Sequence, residues 1–214
     1  MTHRLLHIEA SPRREASLST ALAVRFIDCA RAQTDDLEVD RLDVWAEPLP
    51  DLDGALLSAK YAVLAGRGLD GAEALAWGQV AALVDRLEGA DSLLISTPMW
   101  NFGIPYRLKH WIDLVTQPGL SFTFDPETGY RPLLTPRPAT VLLTSAGDYA
   151  DGPSWGRPNL AGPYLHEALR FIGVGTPDIV LAGPTAGGPD ARAAAQAAAS
   201  ERIRDLIDAR RRVA

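Results

Sequence analysis

The stretch DSLLISTPMWNFGIPYRLKHWIDLV, Asp91–Val115, decides the fold. Its first part, DSLLISTP, is a short continuous apolar run closed by Pro98. Such a run is a strand buried on both faces, as in a parallel sheet. Its last part, PYRLKHWIDLV, carries apolar residues at helical spacing, with Pro105 suited to the first helical turn. Between them stand Met99-Trp100-Asn101-Phe102-Gly103. Turns are usually built from small polar residues. Two aromatic rings and a Met in a turn beyond a buried strand need something to cover.

The same strand-then-helix unit repeats outward in both directions. RLLHIEA (4–10) is a short apolar strand, and LSTALAVRFIDCARAQ (18–33) is an amphipathic helix. LEVDRLDV (37–44) alternates as a second strand. An irregular stretch with a short helix leads to AEALAWGQVAALVDRLEGA (72–90), a helix with Gly89 at its C-terminal end. After the opening stretch, SFTFDPETGYRPLL (121–134) reads as a hairpin excursion. PATVLLTSAG (138–147) is a fourth sheet strand. PYLHEALRFIGV (163–174) is a helix, TPDIVLAGP (176–184) a fifth strand, and 190–212 a last Ala-rich helix. No repeat and no linker interrupts the chain, so residues 1–214 are expected to form one domain.

Strands alternating with helices predict an α/β fold, a mostly parallel sheet covered on both faces. Five strands fit the doubly wound, flavodoxin-like order 2-1-3-4-5. Ligands of such sheets bind beyond the carboxyl ends of the strands, at the switch point between strands 1 and 3. The loops after Ala10, Ser96 and Thr144 are therefore expected to converge.

Each loop has its own chemistry. The first, EASPRREASLSTALA, lacks both G-x-G-x-x-G and G-x-x-x-x-G-K-[ST]. It offers hydroxyls instead: Ser11, Ser17, Ser19 and Thr20, with Ser17 placed as a helix N-cap. Free N–H groups at a helix N-terminus plus hydroxyls suit a phosphate; the alternative is a capped helix with a polar loop. In the second, Met99, Trp100, Asn101 and Phe102 can cover the faces of a flat ring while backbone N–H groups meet its polar edge. Gly103 is expected to supply close approach or positive φ. The alternative is a core plug. In the third, Ser145-Ala146-Gly147-Asp148 can aim several N–H groups at one point, a nest for negative charge. The alternative there is a surface loop.

Bulk properties limit the partners. The chain has 214 residues, 47% hydrophobic and 22% charged, with a net charge of −6 and a pI of about 5.2. An acidic chain of this kind argues against nucleic acid or anionic membrane as the main partner. The basic cluster Arg210-Arg211-Arg212 is expected to complement the negative end of the last helix. The lone Cys29 sits in AVRFIDCA and reads as a structural thiol on a buried helix face. No cysteine pair or His-x-x-x-His spacing suggests a metal site. No run has the form of a signal peptide or a membrane span, so the expected location is the cytoplasm.

Taken in order and spacing, these segments resemble the FMN-dependent NADH-azoreductases, within the flavodoxin-like NAD(P)H:quinone reductases. The resemblance rests on Ser11 with Ser17-Leu18-Ser19, on Pro98-Met99-Trp100-Asn101-Phe102 followed by RLKHWIDLV, on SFTF with GYRPLL, and on Ser145-Ala146-Gly147-Asp148. It implies FMN, with the phosphate in the Ser-rich loop, the ring over Met99–Phe102 and the third loop at its pyrimidine side. It further implies NADH or NADPH as donor, quinones and azo compounds as acceptors, a two-step cycle through one site, and a homodimer. Hydride passes through the cofactor, so no side-chain nucleophile is required. Three positions depart from the family. Trp100 stands where Tyr is usual, and the third loop often reads Ser-Arg-Gly-Gly. Here an Arg is lost and Asp148 is gained; its carboxylate is expected to face solvent.

Phe122, Phe124 and Tyr130 on the hairpin are candidates to wall the substrate pocket; the alternative is packing within the hairpin. The helices at Ala72–Leu87 and Arg107–Val115 carry more apolar residues than a narrow core face needs, which suits a dimer. The main rival reading is a flavodoxin-type electron carrier without a substrate pocket. Against it stand the missing Thr/Ser-Gly-x-Thr loop and the aromatic excursion. Other rivals are a relative that keeps the fold and has lost the flavin, and a reductase for another acceptor such as a nitroaromatic.

Overall fold

The computed structural model describes residues 2–34 and 36–212. Five parallel strands form the central sheet: β1 (His3–Glu9), β2 (Leu37–Asp43), β3 (Ser92–Pro98), β6 (Ala139–Thr144) and β7 (Asp178–Ala182). The remaining two strands, β4 (Phe122–Asp125) and β5 (Gly129–Pro132), pair antiparallel as a separate hairpin. The sheet order is β2-β1-β3-β6-β7, so the expected 2-1-3-4-5 winding is the one observed. The helices are α1 (Leu18–Arg31), α2 (Gly54–Leu64), α3 (Gly71–Glu88), α4 (Tyr106–Val115), α5 (Ala161–Ile172) and α6 (Pro189–Arg211).

Strand alternation divides the core into two layers. Leu6, Ile8, Leu93, Ile95, Val141 and Leu143 face α2, α3, α4 and α5. Leu5, Leu94, Leu142 and Val180 face α1 and α6, where Leu22, Phe26, Ile203 and Ile207 meet them. The central strands are buried along their length, the result expected of a parallel sheet with helices on both sides.

Helix ends explain most of the boundaries. Asp70 and Glu73 form a reciprocal capping box that starts α3. Gly173 ends α5 at φ 103°, and a Cβ there would lie 2.5 Å from the Leu134 carbonyl. The expected helix to residue 174 therefore stops at Ile172. Gly89 follows α3 as expected but keeps a right-handed φ of −75°. Cys29 is half-buried against the α1/α6 core rather than fully inside it. Arg210 does not simply cap its own helix: it reaches Asp178 at 2.7 Å and the Ala139 carbonyl at 3.1 Å.

The apolar surplus lies only partly where the sequence suggests. In α4, Leu108, Trp111, Ile112, Leu114 and Val115 are all buried, so its apolar residues are consumed by the core. On α3, within the expected range, Leu75 is exposed, and it is joined by Leu57, Tyr61 and Leu64 on α2 and Tyr106 at the start of α4.

Candidate functional site

Met99 extends β3 past its end by donating its N–H to the Thr144 carbonyl at 2.7 Å, which draws the second and third loops together. The chain then folds back in four residues. Trp100 and Gly103 exchange N–H···O=C bonds of 2.9 Å in both directions. The central residues, Asn101 and Phe102, have φ of 44° and 74°. The turn is thus a mirror-image β-turn, and its left-handed positions fall on Asn101 and Phe102 rather than on Gly103. A left-handed conformation costs a residue such as Phe102 roughly 1–2 kcal/mol. The site retains that strain, and the turn's tip is tied down by Leu160, whose N–H donates to the Phe102 carbonyl at 2.9 Å. Trp100 and Phe102 remain 37% and 43% exposed, a pair of rings held up to solvent.

The first loop turns once as a short 3-10 segment, Arg14–Ala16, before α1 begins. Ser11, Ser17 and Ser19 are almost fully buried. Ser17 occupies the N-cap position, but its hydroxyl meets Ser19 Oγ at 2.9 Å and bonds no helix N–H. Among the described residues, the first-turn N–H groups of Leu18, Ser19 and Thr20 therefore have no protein acceptor. Such unsatisfied donors, backed by buried hydroxyls, suit a phosphate.

In the third loop, Ser145 is buried and donates to the Gly147 carbonyl at 2.8 Å. Thr185 closes on the Ser145 carbonyl from both its N–H and its hydroxyl. The N–H groups of Ala146, Gly147 and Asp148 find no protein acceptor among the described residues. Asp148 is exposed, and its carboxylate accepts from the Ala150 N–H at 3.0 Å. Met99, Asn101, Phe102, Ala146 and Gly147 together line an open cavity of about 130 Å³, completed by Tyr149 and Arg157. Its Met99 and Phe102 side chains and the free N–H groups of the third loop suit the ring and polar edge of FMN, and the uncapped start of α1 suits a phosphate, although no first-loop residue lines this cavity.

Two larger clefts lie elsewhere. One, of about 560 Å³, runs beside β2 and α1 and is lined by His7, Glu9, Arg14 and Arg41. The other, of about 770 Å³, lies at the opposite end of the strands, around His3 and Arg210. The first cleft takes Arg14, Glu15 and Thr20 from the first loop, and neither includes a residue of the second or third.

Phe122, Phe124 and Tyr130 do not line the cavity. They form an aromatic cluster on α5, with Phe122 5.1 Å and Tyr130 5.4 Å from Phe171 between ring centroids. Phe124 and Tyr130 are still 52% and 62% exposed. Arg67, past the end of α2, is held by Glu73 at 2.5 Å, and Arg14 in the first loop lies 3.7 Å from Asp43.

Sequence reasoning missed Trp45. It stands just past β2, donates Nε1–H to the Ala10 carbonyl at 3.0 Å and packs 5.8 Å from Trp100. Its signal was available, since it lies in the segment just beyond a strand's carboxyl end, as the three site loops do. Tyr149 and Arg157 were also missed, because they lie in a Gly/Pro-rich loop whose shape no periodicity reports.

Comparison with known proteins agrees with this fold. The family model described as Flavodoxin-like fold matches residues 3–207. An FMN-dependent NADH:quinone oxidoreductase 1 of Bradyrhizobium diazoefficiens is 43% identical over 203 residues, covering 95% of this chain and 97% of the relative. The chain belongs to the FMN-dependent NADH:quinone oxidoreductase family. A second member of the family, from Pseudomonas fluorescens, is 42% identical over 95% of each chain. Two azoreductase structures from Bacillus anthracis share the fold. One has a TM-score of 0.84 at 24% identity and covers 97% of this chain and 99% of its own. The other, an FMN-dependent NADH-azoreductase in complex with FMN, has a TM-score of 0.81 at 22% identity, covering 96% and 100%.

Proposed function

We propose that this protein is an FMN-dependent NADH:quinone oxidoreductase that also reduces azo compounds. The carrying observation is the cavity where the left-handed Trp100–Gly103 turn meets Ala146 and Gly147; the uncapped start of α1 follows β1, the strand paired with β3. FMN, when bound, supplies the two-electron chemistry, accepting hydride from NADH and passing the electrons to a flat acceptor. The chain's own residues bind and orient. Ser11, Ser17, Leu18 and Ser19 hold the phosphate with hydroxyls and first-turn N–H groups. Met99, Trp100, Asn101 and Phe102 support the ring. Ser145, whose own N–H is held by the Ala182 carbonyl, anchors the loop, and Ala146, Gly147 and Asp148 present backbone donors to the pyrimidine edge, where negative charge develops. The whole chain serves as one FMN-binding unit in the cytoplasm. Among the described residues no helix is long and apolar enough to cross a membrane.

The active form proposed is a homodimer. The exposed Leu57, Tyr61 and Leu64 on α2, with Leu75 and Tyr106, form an apolar surface on the side of the sheet that carries α2 to α5. In the dimer, Phe124 and Tyr130 would wall the pocket of the partner. Sedimentation of the wild type is expected to give a dimer, and Tyr61→Glu with Leu64→Glu a monomer. A wild-type monomer at micromolar concentration would remove this part of the reading.

The function itself is tested by an anaerobic visible spectrum of the FMN-loaded protein. The flavin bands are expected to bleach with NADH and return with benzoquinone. Bound flavin that NADH leaves oxidised would favour the electron-carrier reading instead. The same cycle with an azo dye in place of the quinone tests the second acceptor class.

A further inference from the structure

One cation at the rim of the cavity has no partner among the described residues. Arg157 ends a tight turn, Ser154–Arg157, closed by reciprocal backbone bonds of 3.0 Å. At its centre Trp155 and Gly156 have φ of 51° and 76°. The turn is pressed onto the third loop. Ser154 is buried, and its Oγ and Cβ stand 2.3 and 2.8 Å from where a Cβ on Gly147 would project. Arg157 Nη2 lies 3.4 Å from the same point. The guanidinium thus lines the cavity with Met99, Asn101, Phe102 and Gly147. Among the described residues it enters no ion pair. The nearby Asp148 carboxylate is taken up by the Ala150 N–H.

A strained turn, wedged in place, delivers an unpaired positive charge to this spot. Resting on the FMN reading, the group that needs it is the reduced ring. Hydride transfer from NADH adds two electrons and one proton to the ring, which gains one unit of negative charge as NAD+ leaves. A cation against the ring binds that form better than the neutral oxidised one. We propose that Arg157 is a catalytic residue whose guanidinium contacts the bound FMN and raises its two-electron reduction potential. Because the side chain is exposed, the effect weakens as salt is added.

The test compares wild type, Arg157→Gln and Arg157→Lys, each loaded with FMN and equilibrated with reference dyes. Arg157→Gln is expected to lose about tenfold in preference for reduced over oxidised FMN, a drop of roughly 30 mV for a two-electron couple. Arg157→Lys should recover part of that drop, and the difference from wild type should shrink at high salt. The dissociation constant of oxidised FMN separates charge from folding. A glutamine variant that weakens oxidised and reduced FMN equally would overturn the assignment. So would an unchanged potential, including the case where only the KM for anionic acceptors rises. Wild-type protein that fails to bind FMN, or to bleach with NADH, would overturn the functional reading itself before any variant is made.

Discussion

Gly147→Ala is expected to weaken FMN binding by roughly tenfold to a hundredfold while leaving the sheet folded. The new Cβ would stand 2.3 Å from Ser154 Oγ and 2.8 Å from Ser154 Cβ. The hydroxyl can rotate away, but Cβ is fixed to the backbone of the Ser154–Arg157 turn. Either that turn or the third loop must shift, and both border the cavity. Overpacking of this kind costs about 1–3 kcal/mol. If the shift is taken out of the binding-competent loop, the same energy appears as one to two decades of affinity. Ser154→Gly removes both clashing atoms, so the double variant is expected to regain much of the loss. Titration with FMN followed by flavin fluorescence measures all three. A Gly147→Ala protein that binds FMN as wild type does would show that the loop's packing does not shape the site.

His7→Gln is expected to flatten the acid dependence of stability. His7 is buried on β1 beneath α1, and its Nε2 pairs with Ser96 Oγ at 2.9 Å. Burial pushes its pKa down from 6.5 to about 4, with the Arg41 charge adding to the effect. The folded state therefore holds a neutral imidazole. Above pH 6.5 the ring is neutral in both states and contributes no pH dependence. As pH falls from 6.5 to 4, only the unfolded chain takes up the proton, and stability drops by roughly 3 kcal/mol in all. Glu9, Glu15, Asp43, Arg14 and Arg41 line the same cleft as His7. The informative quantity is thus the difference between wild type and variant in urea unfolding at pH 7 and pH 4.5. Equal slopes in the two proteins would show that His7 is not the group responsible.

The site's outline was legible in the sequence because each loop carries local chemistry. Ser11, Ser17, Ser19, Met99 to Phe102 and Ser145 to Asp148 were named from composition at strand ends and Leu18 from the family resemblance; the second and third loops supply most of the cavity lining, and the first supplies none of it. What remained illegible depends on distant contacts. Phe102 is held in a left-handed conformation by Leu160, some sixty residues away. Tyr130 stacks toward Phe171 on α5, which no pattern within the hairpin reports. Arg157 reaches the cavity only because Ser154 packs on Gly147. The apolar surplus of α4 could not be told from a surface patch until the sheet was laid beneath it.

By itself the sequence determined the succession of strands and helices, the parallel winding and the three neighbouring strand ends from which the loops leave. It could do so because periodicity, apolar runs and turn residues act over a few neighbours, and the handed winding of a β-α-β chain leaves few arrangements. The tertiary structure decided which residues bear the strained turns, where the hairpin aromatics rest and which arginine stands at the cavity. Those outcomes are set by contacts between segments far apart in the chain, and the energy of such a contact exists only once the fold has brought both sides together.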